Sequence, residues 1–191
     1  MKDLVEKYPE QFKKLGGIIY ALNRIDVFLV TSLSIFFTDE SDPQSEKNFI
    51  FNDALFDKNI FAQFENRLMF FKKAVEDIGR MAEENNLKFD KDKWLGIYKE
   101  IKKVQKLRNE LAHNFLLFSN DGGIIYRKRK KATERLADKL SGGKGTFNKK
   151  YIDLDKELET VSRVCKQSEK LTSFATEARC LLEAVKKKEE R

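Results

Sequence analysis

Three segments of the chain share one pattern, in which residues on one stripe recur at alternating spacings of three and four. The three series are Leu15, Ile18, Leu22, Ile25, Leu29, Ser32 and Phe36; Phe61, Phe64, Leu68, Phe71, Val75, Ile78 and Ala82; and Trp94, Ile97, Ile101, Val104, Arg108, Leu111 and Phe115. This spacing puts each series on one side of an α-helix, which is typical of the seam of a helix bundle. A further helical region is predicted from Asp153 toward Lys188, with a break near Thr172 and Ser173.

Polar and turn-forming residues indicate where these helices begin and end. Asp90 is a predicted N-terminal cap of the third helix. Residues 38–59 are rich in small and acidic side chains, and we expect a long loop there. After His113, two apolar runs at 115–118 and 124–126 flank an Asp-Gly turn, the pattern of a β-hairpin.

The sequence after the predicted hairpin is first basic and then rich in glycine. A basic run covers 127–131, a short helical stretch is predicted around Leu136, and the glycine-rich segment 141–145 is predicted as a loop. The predicted fold is therefore mainly α, an up-and-down bundle of four to five helices with a small β-hairpin inserted after the third long helix. We expect one domain over 1–191, with 115–150 as the hairpin and basic insertion and 186–191 as a frayed tail.

The charge balance narrows the range of partners. Of the 191 residues 36% are charged, and the formal net charge is +7. A basic chain favours polyanionic partners, either nucleic acid or an anionic membrane surface. The alternative is a solvated surface that carries more lysine than glutamate.

Cysteine and histidine usage argues against a metal site. Cys165 and Cys180 lack the CxxC spacing, and a single histidine excludes the usual Cys/His zinc sites, so no metal or cofactor is expected. Residues 1–10 lack the apolar core of a signal peptide, and the most apolar run, 27–37, is too short to span a bilayer. We expect a cytoplasmic protein with reduced thiols and no membrane partner.

The segment Arg108-Asn109-Glu110-Leu111-Ala112-His113 places an arginine five positions before the only histidine. At about 100° per residue, Val104, Arg108 and Leu111 share one side of the third helix. Arg108 therefore falls on the apolar seam, where a guanidinium stays charged and needs a partner or a cleft. The alternative to a functional site is a structural salt bridge, for which Glu65 and Asp77 are candidates.

His113 lies about 150° from the centre of that seam. Asn109, Lys99, Lys102 and Lys106 occupy the same side of the helix. The histidine therefore belongs to a basic, outward face. It is either a solvated surface residue or part of a site that a second subunit completes and that faces a phosphate backbone.

Arg108, Asn109 and His113, late in the third helix of a predicted bundle, resemble the motif of the HEPN-superfamily ribonucleases. In that family an arginine, often followed by asparagine, precedes a histidine by four to six intervening residues. The resemblance in architecture covers about 15–185, and in residues it is specific at those three positions. It implies a homodimer that brings two copies of the motif together and cleaves RNA without a metal.

What the resemblance implies for mechanism agrees with the chemistry of these side chains. Histidine near neutral pH suits proton transfer, and arginine suits a pentavalent phosphate. The implied catalytic residues are Arg108 and His113, with Asn109 orienting the histidine or binding phosphate, and the implied products carry a 2′,3′-cyclic phosphate and a 5′-hydroxyl. Many bacterial members are toxins or antiphage effectors, which implies an antitoxin or regulatory protein as a possible partner. Family toxins paired with nucleotidyltransferase antitoxins often carry tyrosine two residues after the histidine, where this chain has Phe115.

Two basic groups are predicted to bind the substrate. They are Lys99, Lys102 and Lys106 on the third helix, and Arg127, Lys128 and Arg129 after the hairpin. For the second group the alternative is a solvated hairpin edge, where lysines discourage edge-to-edge pairing. For the whole protein the alternative is a catalytically inactive HEPN-like module that binds RNA or protein and dimerises.

Overall fold

The computed structural model describes residues 2–37, 64–113, 115–119, 123–129 and 147–190. Its helices are α1 (Lys2–Lys7), α2 (Pro9–Phe37), α3 (Phe64–Glu84), α4 (Lys91–His113), α5 (Leu154–Ser168) and α6 (Leu171–Glu189). Its strands are β1 (Phe115–Phe118), β2 (Ile124–Arg129) and β3 (Phe147–Ile152). The prediction of a mainly α-helical protein with a small β-hairpin after the third long helix is confirmed.

The chain divides into two compact units. The first comprises Met1–Ala21 and Lys106–Ser162, and the second comprises Leu22–Gln105 and Arg163–Arg191. Helices α2, α4 and α5 are each continuous across this division in sequence. The prediction of one domain over residues 1–191 stays a prediction.

The first unit is built on a three-stranded antiparallel sheet in the order β1-β2-β3. β1 and β2 form the predicted hairpin, in which Phe118 pairs with Ile124 and Ser119 N–H donates to the Gly123 carbonyl at 3.0 Å. Ile124 also pairs with Ile152 of β3, and both side chains are buried. β3 was not predicted from the sequence, and it makes β2 the central strand among those described.

Within the first unit, helix α2 contacts both the sheet and helix α5. The Phe118 ring lies 4.6 Å from the ring of Phe12 at the start of α2, measured between centroids. The Asp153 carboxylate caps α5 by accepting hydrogen bonds from two backbone N–H groups of its first turn, at 3.0 and 3.2 Å. The Lys14 ammonium pairs with the Asp155 carboxylate at 2.7 Å, and that hydrogen bond raises the pKa of Lys14.

Aromatic packing in the second unit centres on Phe174 of α6, which is fully buried. Its ring centroid lies 5.0 Å from Phe71 of α3, 5.4 Å from Trp94 of α4 and 5.8 Å from Phe36 of α2. Four helices therefore contribute to one aromatic core, as expected for a bundle.

Away from that core, an ion pair and a hydroxyl hydrogen bond join helices of the second unit. The guanidinium of Arg67 on α3 donates to both carboxylate oxygens of Asp26 on α2, at 2.7 to 3.0 Å. The buried Ser32 hydroxyl donates to the Leu171 carbonyl at 2.7 Å. Each of these contacts satisfies a polar group that would otherwise be costly to bury.

Several boundaries differ from the sequence predictions. The break in the last helical region falls at Glu169 and Lys170, so Thr172 lies inside α6 rather than at a break. Phe115 belongs to β1 and not to the third helix. Residues 186–191, predicted as a frayed tail, are helical as far as Glu189, and basic residues in the last turn of α6 complement its macrodipole.

Other sequence predictions lie outside the described residues. They are Phe61 in the second series, the whole of the predicted loop 38–59, the helical stretch around Leu136 and the loop 141–145. α2 is 29 residues long, so the argument from the short run 27–37 does not hold for the whole helix. By length and composition alone α2 could cross a bilayer, a test that the core helix of a soluble protein also passes.

Candidate functional site

The predicted motif lies entirely in the last two turns of α4. The helix begins as expected, because the Lys93 backbone N–H donates to the Asp90 carboxylate at 2.9 Å. From Lys91 it runs without interruption to His113, its last residue. The backbone of α4 therefore carries Arg108, Asn109 and His113 on one rigid segment.

Arg108 occupies the less buried end of the predicted seam. Earlier seam residues Trp94, Ile101 and Val104 are buried, whereas Arg108 is half-buried. Arg108 takes part in an interaction, so its guanidinium is not free. Asp77, one candidate for a structural salt bridge, is paired with Arg80 of its own helix at 2.7 Å.

Asn109 is exposed, and the side chain of His113 lies outside the described part of the chain. Helix positions 108 and 113 are separated by about 140° of rotation and about 7.5 Å along the axis. On one protomer the two positions therefore leave the helix in different directions. The long guanidinium of Arg108, or a second copy of α4, is needed to bring both groups to one phosphate.

The predicted substrate-binding residues fall in two places. Lys99, Lys102 and Lys106 are exposed, with the first two in the second unit and Lys106 in the first. The backbones of Arg127, Lys128 and Arg129 form the second half of β2, opposite Phe147–Lys149 of β3, and their side chains lie outside the described part. β3 pairs with all three positions, whereas the pairing with β1 ends at Arg127, so the alternative of a hairpin edge still stands for Lys128 and Arg129.

The structure adds a groove that the sequence did not indicate. It has a volume of about 810 Å³ and lies within the second unit. It is lined by Lys93, Gly96, Ile97, Lys99, Glu100, Lys102, Lys103, Gln167 and Lys170. The lysines of α4 carry a signal in the sequence, but nothing in the sequence brings Gln167 and Lys170 to them from the α5–α6 turn.

Metal-ligating residues do not cluster in the part of the chain that the structure describes. Cys165 and Cys180 are both free thiols, the first buried and the second exposed. Burial raises the pKa of the Cys165 thiol; nearby Arg24 lowers it and Glu169 raises it. Cys165 is therefore a poor nucleophile at neutral pH.

Comparison of the chain with protein-family models, with curated proteins and with solved structures gives no match. The HEPN resemblance therefore rests on Arg108, Asn109, His113 and their position late in a long helix. What it implies for activity is a proposal.

Proposed function

We propose that this protein is a metal-independent endoribonuclease of the HEPN type, with a composite active site formed by a homodimer. One observation carries the proposal: the segment from Arg108 to His113 is continuously helical at the C-terminal end of α4. Within it Arg108 is half-buried and Asn109 is exposed. Such an arrangement holds a phosphate-binding fork on a rigid element, which favours transition-state binding.

The reaction is an intramolecular displacement at phosphorus. One His113 removes the proton from the ribose 2′-hydroxyl, whose oxygen forms a bond to phosphorus as the bond to the 5′-oxygen breaks. The second His113 of the dimer donates a proton to the leaving 5′-oxygen. Arg108 stabilises the negative charge of the phosphorane, and the products are a 2′,3′-cyclic phosphate and a 5′-hydroxyl.

Basic residues extend the binding surface for the RNA backbone. We assign this role to Lys99, Lys102 and Lys106, which are exposed, and to the β2 run of Arg127, Lys128 and Arg129. The net charge of +7 supports a polyanionic substrate. The cellular role that fits is a cytoplasmic toxin or antiphage effector held in check by an antitoxin or regulatory protein.

Phe115 limits one form of that regulation. Modification of a tyrosine hydroxyl two residues after the histidine is impossible here, because phenylalanine has no hydroxyl. The proposed antitoxin therefore acts by binding or on another residue.

The chemistry of cleavage is tested with synthetic RNA in EDTA. A single-stranded oligonucleotide and its all-2′-deoxy counterpart are incubated with the protein, and the end groups of the products are determined. The proposal predicts cyclic phosphate ends from the RNA and no cleavage of the deoxy strand. Cleavage of the deoxy strand, or 5′-phosphate ends, would contradict 2′-hydroxyl attack.

A second candidate function is an inactive HEPN-like module that binds RNA or protein and dimerises. The lysine-lined groove of the second unit favours it, since neither Arg108 nor His113 is among the lining residues. Such a module binds RNA with a steep salt dependence and leaves it intact after long incubation. Cleavage that requires His113 would exclude it.

A further inference from the structure

The groove of the second unit is strongly basic. Five lysines and one glutamate line it. Its volume of about 810 Å³ lies within the range of roughly 300–1,000 Å³ typical of ligand sites. A cleft lined by one sign of charge concentrates counter-charged ligands.

Three of the five ammonium groups are not engaged with a carboxylate in the described part of the chain. Lys93 pairs with Glu177 at 3.0 Å, and Lys103 pairs with Glu100. The remaining three lysines are Lys99, Lys102 and Lys170, and all are exposed. Lys99 and Lys102 stand on α4 and Lys170 on the α5–α6 turn, so the free charges come from two sides of the groove.

The N-terminus of α6 adds positive potential beside them. Lys170 is its N-cap residue, makes no side-chain capping hydrogen bond, and is followed by no acidic residue in the first turn. The first turn of α6 therefore carries no carboxylate to offset the partial positive charge of the helix end, and the preceding Glu169 is paired with Arg24 at 3.2 Å.

Gln167 lines the groove and carries a buried side-chain oxygen. Its Oε1 atom is buried and accepts no hydrogen bond from the described residues. A buried acceptor without a donor is unfavourable, and such groups in native proteins often face a ligand or water. The donor that satisfies a carboxamide oxygen in a ribonucleotide is a base amine or the ribose 2′-hydroxyl.

The floor of the groove has room for a flat ring or a sugar. Ile97 contributes an apolar surface, and a Cβ built on Gly96 would contact nothing within 4 Å. The absence of a side chain at Gly96 therefore leaves this part of the groove open.

We propose that this groove binds a nucleotide segment of single-stranded RNA, with phosphates on Lys99, Lys102 and Lys170 and a hydrogen-bond donor of the nucleotide on the Gln167 carboxamide. The inference rests on the proposed function for the identity of the ligand. Single strands suit the groove because their unstacked bases can enter a cleft that a duplex cannot. Gln167 is then a specificity-determining residue that distinguishes nucleotides by the donor they present.

Binding is measured by fluorescence anisotropy with a short fluorescein-labelled single-stranded RNA in EDTA, using the full chain carrying His113→Ala so that the probe stays intact. The charge variant Lys99→Gln/Lys170→Gln is compared with the control Lys186→Gln/Lys187→Gln, which removes the same charge from exposed positions of α6. We expect the groove variant to bind at least about tenfold more weakly than the control. Its salt slope should be lower by about 0.7 for each phosphate that the variant no longer neutralises.

A steric pair tests the same groove without changing charge. Gly96→Leu fills the floor, and Gly16→Leu is its control because a Cβ at Gly16 also contacts nothing within 4 Å. We expect Gly96→Leu alone to weaken RNA binding. Gln167→Leu is expected to weaken binding while the melting temperature is unchanged or higher, since the variant removes a buried, unpartnered oxygen.

Each other outcome overturns the proposal. Equal affinities for the groove variants and their controls, or no RNA binding by the protein, would exclude the groove as an RNA site. Competition by a free nucleoside monophosphate at the affinity of the RNA would assign the groove to a mononucleotide instead. Failure of the proposed function is distinguishable. It shows as intact RNA after incubation with the parent, or as cleavage that does not depend on His113, while these affinities are measured without cleavage.

Discussion

The ion pair between Arg67 and Asp26 allows a prediction of stability that can be worked from the structure. Three hydrogen bonds of 2.7 to 3.0 Å join the guanidinium to the carboxylate, and the two side chains are 9% and 22% exposed. Asp26→Ala leaves the Arg67 guanidinium buried without its carboxylate. Breaking a buried pair in this way costs about 3–5 kcal/mol, and the partial exposure of Asp26 places the expected loss at about 3 kcal/mol.

The chain offers a matched control for that variant. Asp77 pairs with Arg80 at 2.7 Å, but the exposed fractions are 45% and 64%. An exposed pair contributes about 0–1 kcal/mol, so Asp77→Ala should change stability little. Both substitutions replace aspartate with alanine inside a helix, so their difference in helix propensity largely cancels.

Thermal and urea unfolding of the two variants measure the difference. For a chain of this length about 3 kcal/mol corresponds to a fall in melting temperature of roughly 6–12 °C for Asp26→Ala. The double variant Asp26→Leu/Arg67→Met should recover most of the loss, because both charges are then absent. Equal melting temperatures for Asp26→Ala and Asp77→Ala would refute the reasoning.

Two further variants test the two units, and a labelling experiment tests the thiols. Phe174→Ala should lower the free energy of unfolding, measured in urea, by about 3–5 kcal/mol. The reason is that the fully buried Phe174 ring contacts aromatic side chains of three other helices. A loss below about 1 kcal/mol would contradict this packing. A Cβ at Gly123 would lie 2.3 Å from the Tyr151 ring, so Gly123→Ala should lower the free energy of unfolding by about 1–3 kcal/mol in the parent. In a Tyr151→Ala background the same substitution should lower it little, and equal losses would show that the ring is not the obstacle. Cys180 should react with a thiol reagent at once and Cys165 slowly. The slow phase should keep accelerating above the ordinary thiol pKa, because burial raises the pKa of Cys165 and its thiolate forms only at higher pH; equal rates would contradict its burial.

Patterns of neighbouring residues in the sequence are sufficient to predict most of the described helices. The stripe from Trp94 to Val104 is buried as its spacing predicts, and the Asp90 cap is present with its expected hydrogen bond. The Asp-Gly turn likewise indicated the hairpin of β1 and β2. In each case the determining residues lie within a few positions of one another, so the sequence contains the whole cause.

Features that depend on distant residues were missed. β3 reads Phe-Asn-Lys-Lys-Tyr-Ile, a polar run with little strand character, and it is a strand because β2 pairs with it. The sequence predicts the break before α6 near Thr172 and Ser173. Near the start of a helix such residues are tolerated, and the break lies at Lys170 instead.

In the candidate site, too, some features depend on neighbouring residues and others on residues far apart in the sequence. The helical register of Arg108, Asn109 and His113 follows from the local pattern, and α4 carries all three. The groove formed by α4 lysines with Gln167 and Lys170 could not be predicted, because about seventy residues separate the two sides in sequence and only tertiary packing joins them. Whether two copies of α4 complete one active site is likewise a question of association, which a single chain's periodicity does not encode.

The most direct test of the central claim is the rate of RNA cleavage in EDTA by the parent, by His113→Ala and by Arg108→Ala, with Arg80→Ala as an exposed arginine control. Loss of the general acid–base group should slow cleavage by at least about 100-fold, and loss of the guanidinium by a similar factor. The control should cleave as fast as the parent. Cleavage by His113→Ala at the parent's rate would contradict the proposed mechanism.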